Sequence, residues 1–327
     1  MSHYFIGVDV GGTKTEACLL ALSDLQNFED YQMLARERIS TSRVSLAHYL
    51  GELKVLVEKL LSTNQTGRRI ELSEIRGIGF GLPGSIDPVT QTMGQGSVPF
   101  FKNCDLRSEF SKALGFSGPM IFDNDGNCFA LAETYLGAGK RWANENNVPL
   151  ERLCLVGVTL GTGVGGGLIV NGKLIRGRRG GAGEIGHITL VEGGHLCYCG
   201  KRGCSEQYLS GKAFEFAYAS RSSALEHLKG TTIFKHAEEN EPLAVAAIEL
   251  YRDHLVTFLS NVSNFIDPHV VVLGGGMSTQ PRIYQGISER LSRECFLTEN
   301  PPGVLQNECG GSAGVLGAAL LSIWENS

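Results

Sequence analysis

At 327 residues, with a net charge of −5, 42% hydrophobic and 19% charged residues, the chain has the composition of an ordinary soluble globular protein. Its mild acidity argues against a broad basic surface for nucleic acid, and no apolar run reaches the ~18 residues needed to span a bilayer. The length exceeds the ~250–300 residues at which one core stops growing, so two domains are expected. The 43 glycines are roughly twice the usual share, and they cluster at turns between apolar runs, where backbone can approach a ligand closely.

The opening Met-Ser-His-Tyr carries no charged leader segment, and a cytoplasmic protein is expected. Of the nine cysteines, Cys18, Cys104, Cys128, Cys154, Cys295 and Cys309 are scattered like reduced core thiols. Cys197, Cys199 and Cys204 crowd together, which in such a chain reads as metal binding rather than disulfide.

In chain order, Tyr4–Val10 reads as a strand, Gly11-Gly12-Thr13-Lys14-Thr15 as a tight turn, and Glu16–Leu22 as the returning strand. The amides of such a turn can form an anion-binding nest, and Asp9 at the strand end can hold a metal-bound water or the turn itself. No Gly-x-x-x-x-Gly-Lys-Ser/Thr string is present, so Lys14 does not belong to a P-loop. Apolar residues from Val44 to Leu61 recur at helical spacing. Ile75–Phe80 reads as a buried strand ending in the turn Gly81-Leu82-Pro83-Gly84-Ser85. Pro119–Phe122 is a strand that runs into Asn124 and Asp125, and a helix follows from about Cys128.

The second half repeats this pattern. Leu153–Leu160, a glycine turn, and Gly167–Val170 make another strand–turn–strand. A long helical region spans roughly 207–265, and Asp267–Leu273 is a strand ending in Gly274-Gly275-Gly276. A helix at about 280–296 has Ser278 as its expected N-cap, and Gly310–Gly314 leads into a last helix, Val315–Trp324. The repetition predicts two similar α/β lobes with a cleft between them: residues 1–124 completed by about 313–327, and residues 125–312.

Several residues in this frame can carry chemistry. Gly161-Thr162-Gly163-Val164-Gly165-Gly166 matches Gly-x-Gly-x-x-Gly, but a dinucleotide site needs a helix next and a strand follows. What remains is a hairpin of amides around a phosphate, with the Thr162 hydroxyl as an added donor. Asp125, delivered by a strand to a helix start, is a candidate general base for a hydroxyl proton; the alternative is an N-cap. The neighbouring Asn124 and Asn127 carry amides suited to vicinal hydroxyls. His187 with Cys197, Cys199 and Cys204 gives a Cys3His set suited to a closed, structural zinc site that would fix Glu184 and Glu206; three reduced thiols beside an unrelated histidine are the alternative.

Taken together, Asp9-Val-Gly-Gly-Thr-Lys14, Gly81-Leu-Pro-Gly84, Asn124-Asp125-Gly-Asn127, Leu160–Gly167, Glu184-x-Gly-His187, the cysteine run with Glu206, and Asp267-Pro to Gly276 resemble the ROK (repressor, open reading frame, kinase) family along nearly the whole chain. The resemblance implies a duplicated actin-like ATPase (ribonuclease H-like) fold, ATP with Mg2+, and phosphorylation of a hexose at its 6-hydroxyl. The stretches Phe122–Leu131, Gly163–Gly172 and Val271–Ser278 point to N-acetyl-D-glucosamine, with fructose and glucose as alternatives. By position, Asp125 would be the catalytic base. Asn124, Glu184, His187, Glu206, Gly84 and Ser85 would contact the sugar. Asp9, Gly11, Gly12, Thr13, Lys14, Thr162, Gly163, Gly275 and Gly276 would surround the nucleotide. His187, Cys197, Cys199 and Cys204 would hold Zn2+. A homodimer is the expected assembly. Two departures stand out: Gly126 replaces the family's alanine, and Ser97–Lys102 replaces an asparagine-led loop beside the sugar. Family members that sense sugars and regulate transcription carry an N-terminal helix-turn-helix, whereas here the first strand begins at Tyr4, so a regulator is the alternative of another class.

Overall fold

The computed structural model describes residues 2–25, 30–96, 98–221 and 228–324. The chain divides into two units, one of residues 1–140, 174–183 and 309–327, the other of residues 141–173 and 184–308. The first opens with β1 (His3–Val10), β2 (Lys14–Leu22) and β3 (Gln32–Ser40), then α1 (Leu46–Ser62) and β4 (Ile75–Leu82). A small hairpin of β5 (Gly84–Ile86) and β6 (Met93–Gly96) precedes α2 (Leu106–Leu114), β7 (Met120–Asn124) and α3 (Asp125–Tyr135), and α4 (Ala138–Glu145) continues from the first unit into the second. The second holds β8 (Leu155–Leu160), β9 (Val164–Val170) and β10 (Lys173–Leu174), followed by α5 (Glu206–Leu209) and α6 (Gly211–Ala219). Then come α7 (Gly230–Glu238), α8 (Pro242–Ile266), β11 (Val270–Gly274), α9 (Ile287–Glu294) and β12 (Gly303–Gln306), and α10 (Ala313–Trp324) completes the first unit.

Each unit carries one five-stranded sheet, and the two sheets have the same plan. The orders are β3-β2-β1-β4-β7 and β10-β9-β8-β11-β12. In both, a glycine turn joins an antiparallel pair (β1–β2, β8–β9), and two further strands run parallel to its first member. This repeated arrangement is the duplicated actin-like ATPase fold that the resemblance implied.

The parallel strands read as unbroken apolar runs because helices cover the sheet. In the first unit α10 lies directly on it: a Cβ added at Gly7 would sit 2.0 Å from Val315 O, and one at Gly79 would sit 1.7 Å from Ala318 O. On the same sheet Phe80 stacks on Phe122 at 4.7 Å, and Phe110 meets both rings edge-on. Phe101 joins this core fully buried, edge-on to Tyr49, so this part of the 97–102 departure serves packing. Ser97 itself lies outside the described residues. In the second unit α8 starts at Pro242, where the Glu241 side chain accepts from the amides of Leu243 and Ala244.

Some expected boundaries move. The 207–265 stretch is four helices among the described residues (222–227 lie outside them), because Ser210 ends α5 and caps α6 by accepting from Ala213 N. Ser278 is not an N-cap: its hydroxyl donates to Gly275 O at 2.7 Å, and α9 begins only at Ile287, after Gly286 with φ +64°. Pro281 disfavours helical geometry in the residue before it, which accounts for the short 3-10 turns there. The edge strand β3 escaped notice because Arg36, Glu37 and Arg38 interrupt its apolar pattern. No helix among the described residues is long and apolar enough to cross a membrane.

Candidate active site

In the first unit the β1–β2 turn is closed by Gly11 N donating to Lys14 O at 2.8 Å. The carbonyls of Gly11, Gly12 and Thr13 are engaged by Thr41 Oγ1, Arg43 Nε and Thr41 N respectively. The nest is therefore smaller than the sequence implied: Gly11 N is used inside the turn, and the amides of Gly12 and Thr13 make no hydrogen bond among the described residues. Lys14 Nζ lies 3.4 Å from the buried Glu16 carboxylate. Burial opposes ionisation of Glu16, yet Arg36, Lys14 and Arg38 hold it below the usual carboxylate range.

Asp9, at the end of β1, behaves oppositely. Burial pushes its carboxyl up to about 6; Lys14 works against this and the Glu16 charge adds to it. A divalent cation would supply the positive charge that Asp9 lacks, so the residue fits a role beside Mg2+. The sign follows. Because the folded pKa is raised, the protonated form's contribution to stability is present below about 4 and lost as pH rises through about 6. Cation binding needs the ionised form. Lowering pH from 7.5 through 6 is therefore expected to raise the KM for Mg–ATP several-fold in initial-rate assays, and an Asp9→Asn variant should lack that dependence.

The end of β7 brings Asn124 and Asp125 together with Gly84. Asn124, not Asp125, is the N-cap of α3: its Oδ1 accepts from Gly126 N at 2.8 Å and its Nδ2 donates to Gly84 O at 3.1 Å. Asp125 is exposed as the first helical residue, where the positive end of the helix dipole favours its ionised form, although Oδ1 also accepts from Gly126 N at 2.9 Å. Ser85 lies half-buried in β5 next to Gly84. Asn127 departs from the expected hydroxyl-binding role: it is fully buried, and its amide donates to Asp123. Neither Asp123 nor its partner Arg176 was singled out from the sequence, since a lone Asp within an apolar strand gives no signal of its partner.

In the second unit the β8–β9 turn places Thr162 exposed at its tip. Glu206, the first residue of α5, accepts from Val164 N at 3.1 Å, and a Cβ at Gly163 would come within 2.5 Å of its Oε2. The glycine is needed for this approach, and Glu206 braces the turn. Gly275 (φ +83°) packs against the same region; a Cβ there would meet Leu160 O at 2.5 Å. Thr162 and Gly276 both line a cavity of about 520 Å3, together with Lys212, Glu215, Lys229 and Phe234. Its size suits a small-molecule ligand. The last four come from α6 and the start of α7, far in sequence from Thr162 and Gly276, which is why no motif revealed them.

The metal-ligand set is also gathered in this unit. The candidate atoms of His187, Cys197, Cys199 and Cys204 all lie within 4.8 Å of one another. Cys199 and Cys204 sulfurs are 3.6 Å apart, and Cys197 Sγ is 3.7 Å from His187 Nδ1. These edges match a tetrahedron around zinc, whose sulfur–sulfur edge is about 3.8 Å for ~2.3 Å bonds, so the donor set fits Zn2+. The other imidazole nitrogen, Nε2, lies 3.0 Å from Tyr198 OH. Burial, reinforced by the Glu206 and Glu184 charges, pushes that phenol up to about 12. Glu184 is exposed and Glu206 half-buried.

The sequence of this chain matches the ROK family profile over residues 5–325. The chain belongs to the ROK family, and its enzymatic class is that of a sugar phosphotransferase. Among curated relatives, the N-acetyl-D-glucosamine kinase of Yersinia pseudotuberculosis is 34% identical, with 98% of this chain and 99% of the relative covered. Among solved structures, a ROK hexokinase from Thermus thermophilus superposes with TM-score 0.79 at 28% identity, covering 99% of both chains. A ROK glucokinase from Streptomyces griseus, in complex with glucose and AMPPNP, gives TM-score 0.75 at 26% identity over 97% of this chain and 98% of the other. The transcriptional-regulator alternative is not favoured by these relatives.

Proposed function

We propose that this enzyme transfers the γ-phosphoryl group of ATP to the 6-hydroxyl of N-acetyl-D-glucosamine, with Asp125 as general base. The observation that carries the mechanism is the exposed Asp125 carboxylate at the start of a helix whose cap is supplied by its neighbour. An exposed carboxylate at a helix start can take a hydroxyl proton as the phosphoryl group arrives. The full-length similarity to N-acetyl-D-glucosamine kinases supports the choice of sugar.

In this reading Asn124, Gly84, Ser85, Glu184, His187 and Glu206 orient the sugar, each by hydrogen bonds to its hydroxyl or amide groups. The Gly12 and Thr13 amides and Lys14 cradle phosphate oxygens in a turn that Gly11 closes, as do Thr162 and Gly163. Gly275 and Gly276 border the adenosine, for which the cavity lined by Phe234 and Lys212 offers room. Asp9 would hold Mg2+, which would supply charge neutralisation at the phosphates. Zn2+ on His187, Cys197, Cys199 and Cys204 is structural, because four protein ligands leave no open position. The two units serve as the lobes of a cytoplasmic enzyme that works as a homodimer.

A panel of hexoses and N-acetylhexosamines assayed with ATP by ADP release tests the sugar assignment. N-Acetyl-D-glucosamine is expected to give a kcat/KM at least roughly tenfold above glucose, mannose and fructose, since one well-placed buried hydrogen bond discriminates by about that much or more. A higher kcat/KM for fructose or glucose would reassign the substrate.

A further inference from the structure

The Asp123 carboxylate, two residues before the proposed base, is 3% exposed and uses both oxygens. Oδ1 accepts from Asn124 N at 2.8 Å and from Asn127 Nδ2 at 2.7 Å, and Oδ2 accepts from Arg176 Nε at 2.5 Å. Its neighbours in β7, Ile121 and Phe122, are apolar core residues. A charge at such a place disfavours folding unless it is fully paired, and an apolar side chain would fill the space at less cost. The pairing here has a direction: two of the three donors bracket residue 125, one on the residue before it and one two residues after. The Asn127 Oδ1 atom is buried with no hydrogen-bond partner, so stability alone does not explain the choice of that amide.

We propose that Asp123, anchored by Arg176, is the positioning residue for Asp125. The proposal rests on the assignment of Asp125 as general base. Arg176 lies in the 174–183 segment of the same unit and reaches Asp123 from a part of the chain 53 residues away. The ion pair fixes the Asp123 carboxylate, and that carboxylate fixes the backbone of Asn124 and the first turn of α3 through Asn127. Asn124 then completes the support with its bonds to Gly126 N and Gly84 O. The base is held from behind, on the buried side, while its carboxylate stays exposed. A displacement of about 1 Å at a reacting group is enough to slow chemistry roughly 100-fold.

The test compares Arg176→Gln, Asp123→Asn and the double variant with Asp125→Ala, all in the full-length enzyme. Thermal melts establish that each is folded at the assay temperature. Arg176 is partly exposed, so this variant carries the test if Asp123→Asn does not fold. Each single change is expected to lower kcat roughly 10–100-fold while the KM for Mg–ATP stays within about twofold. The double variant should be no slower than the slower single, because both changes break one unit. Single variants with kcat within about twofold of the parent and only a lowered Tm would reduce the pair to a structural bridge and overturn the proposal. A fall in kcat matched by a rise in nucleotide KM would do the same. If instead Asp125→Ala retained the parent kcat, the base assignment itself would fail, and the positioning role with it.

Discussion

Replacing Asp125 with alanine is expected to lower kcat by about 10³-fold, some 4 kcal/mol of transition-state stabilisation, while the protein stays folded and still binds sugar. The reason lies in the division of labour at the start of α3. Asn124 caps the helix and bonds to Gly84 O, so the exposed Asp125 side chain leaves without unmaking the cap. Its loss should cost the fold no more than the ~0.3–1 kcal/mol of an acidic group at a helix N-terminus. The converse substitution, Asn124→Ala, removes the cap and belongs to stability first. Steady-state kinetics with a melting curve and a sugar-binding isotherm separate the two effects. Retention of more than a few per cent of the parent kcat by Asp125→Ala would contradict the base assignment.

The second large effect concerns the Cys3His cluster. Purified enzyme is expected to carry one zinc per chain, and stripping it with a chelator or making Cys199→Ser should lower Tm by roughly 3–5 °C, the shift expected from about 2–3 kcal/mol in a chain of this size. Sugar affinity should fall with it, because the cluster would fix both ends of the segment proposed to contact the sugar. His187 sits three residues after Glu184, and Cys204 sits two before Glu206. The backbone reinforces this: Cys204 bridges to Thr189, and Gly203 N donates to His195 O at 2.9 Å. Readd zinc to the stripped protein and both Tm and affinity should return. Metal analysis that finds no zinc in active enzyme would overturn the cluster.

Where the chain announces its structure, the signal is local. The two glycine turns after apolar strands gave both hairpins, and their repetition gave the doubled sheet plan, because alternating strand and turn chemistry is written within a few residues. The Cys197-x-Cys199 spacing with His187 likewise needed only neighbours. What was hidden is whatever depends on distant chain segments meeting. Asp123 looks like one more strand residue until Arg176 arrives beside it, and Lys212, Lys229 and Phe234 share a cavity only after α6 and α7 have packed. The Gly11 amide looked available to a ligand because a sequence does not show which donors the turn itself consumes. Ser278 looks like a cap because its side chain suits one; with the helix delayed past Pro281 and Gly286 to Ile287, its hydroxyl donates to Gly275 O instead.

These cases share a direction. Residues proposed to carry chemistry sit at a strand end or turn tip, where the backbone must be special and glycine, asparagine and aspartate mark it in the sequence. Residues proposed to hold the chemistry in place carry no such mark, since burial and partners decide their role.

The most direct measurement is a crystal structure of the enzyme with N-acetyl-D-glucosamine and a non-hydrolysable ATP analogue. The Asp125 carboxylate is expected within about 2.6–3.2 Å of the sugar 6-hydroxyl, the reach of a general base. A sugar bound with that hydroxyl turned away from Asp125, and the carboxylate engaged only with helix amides, would contradict it.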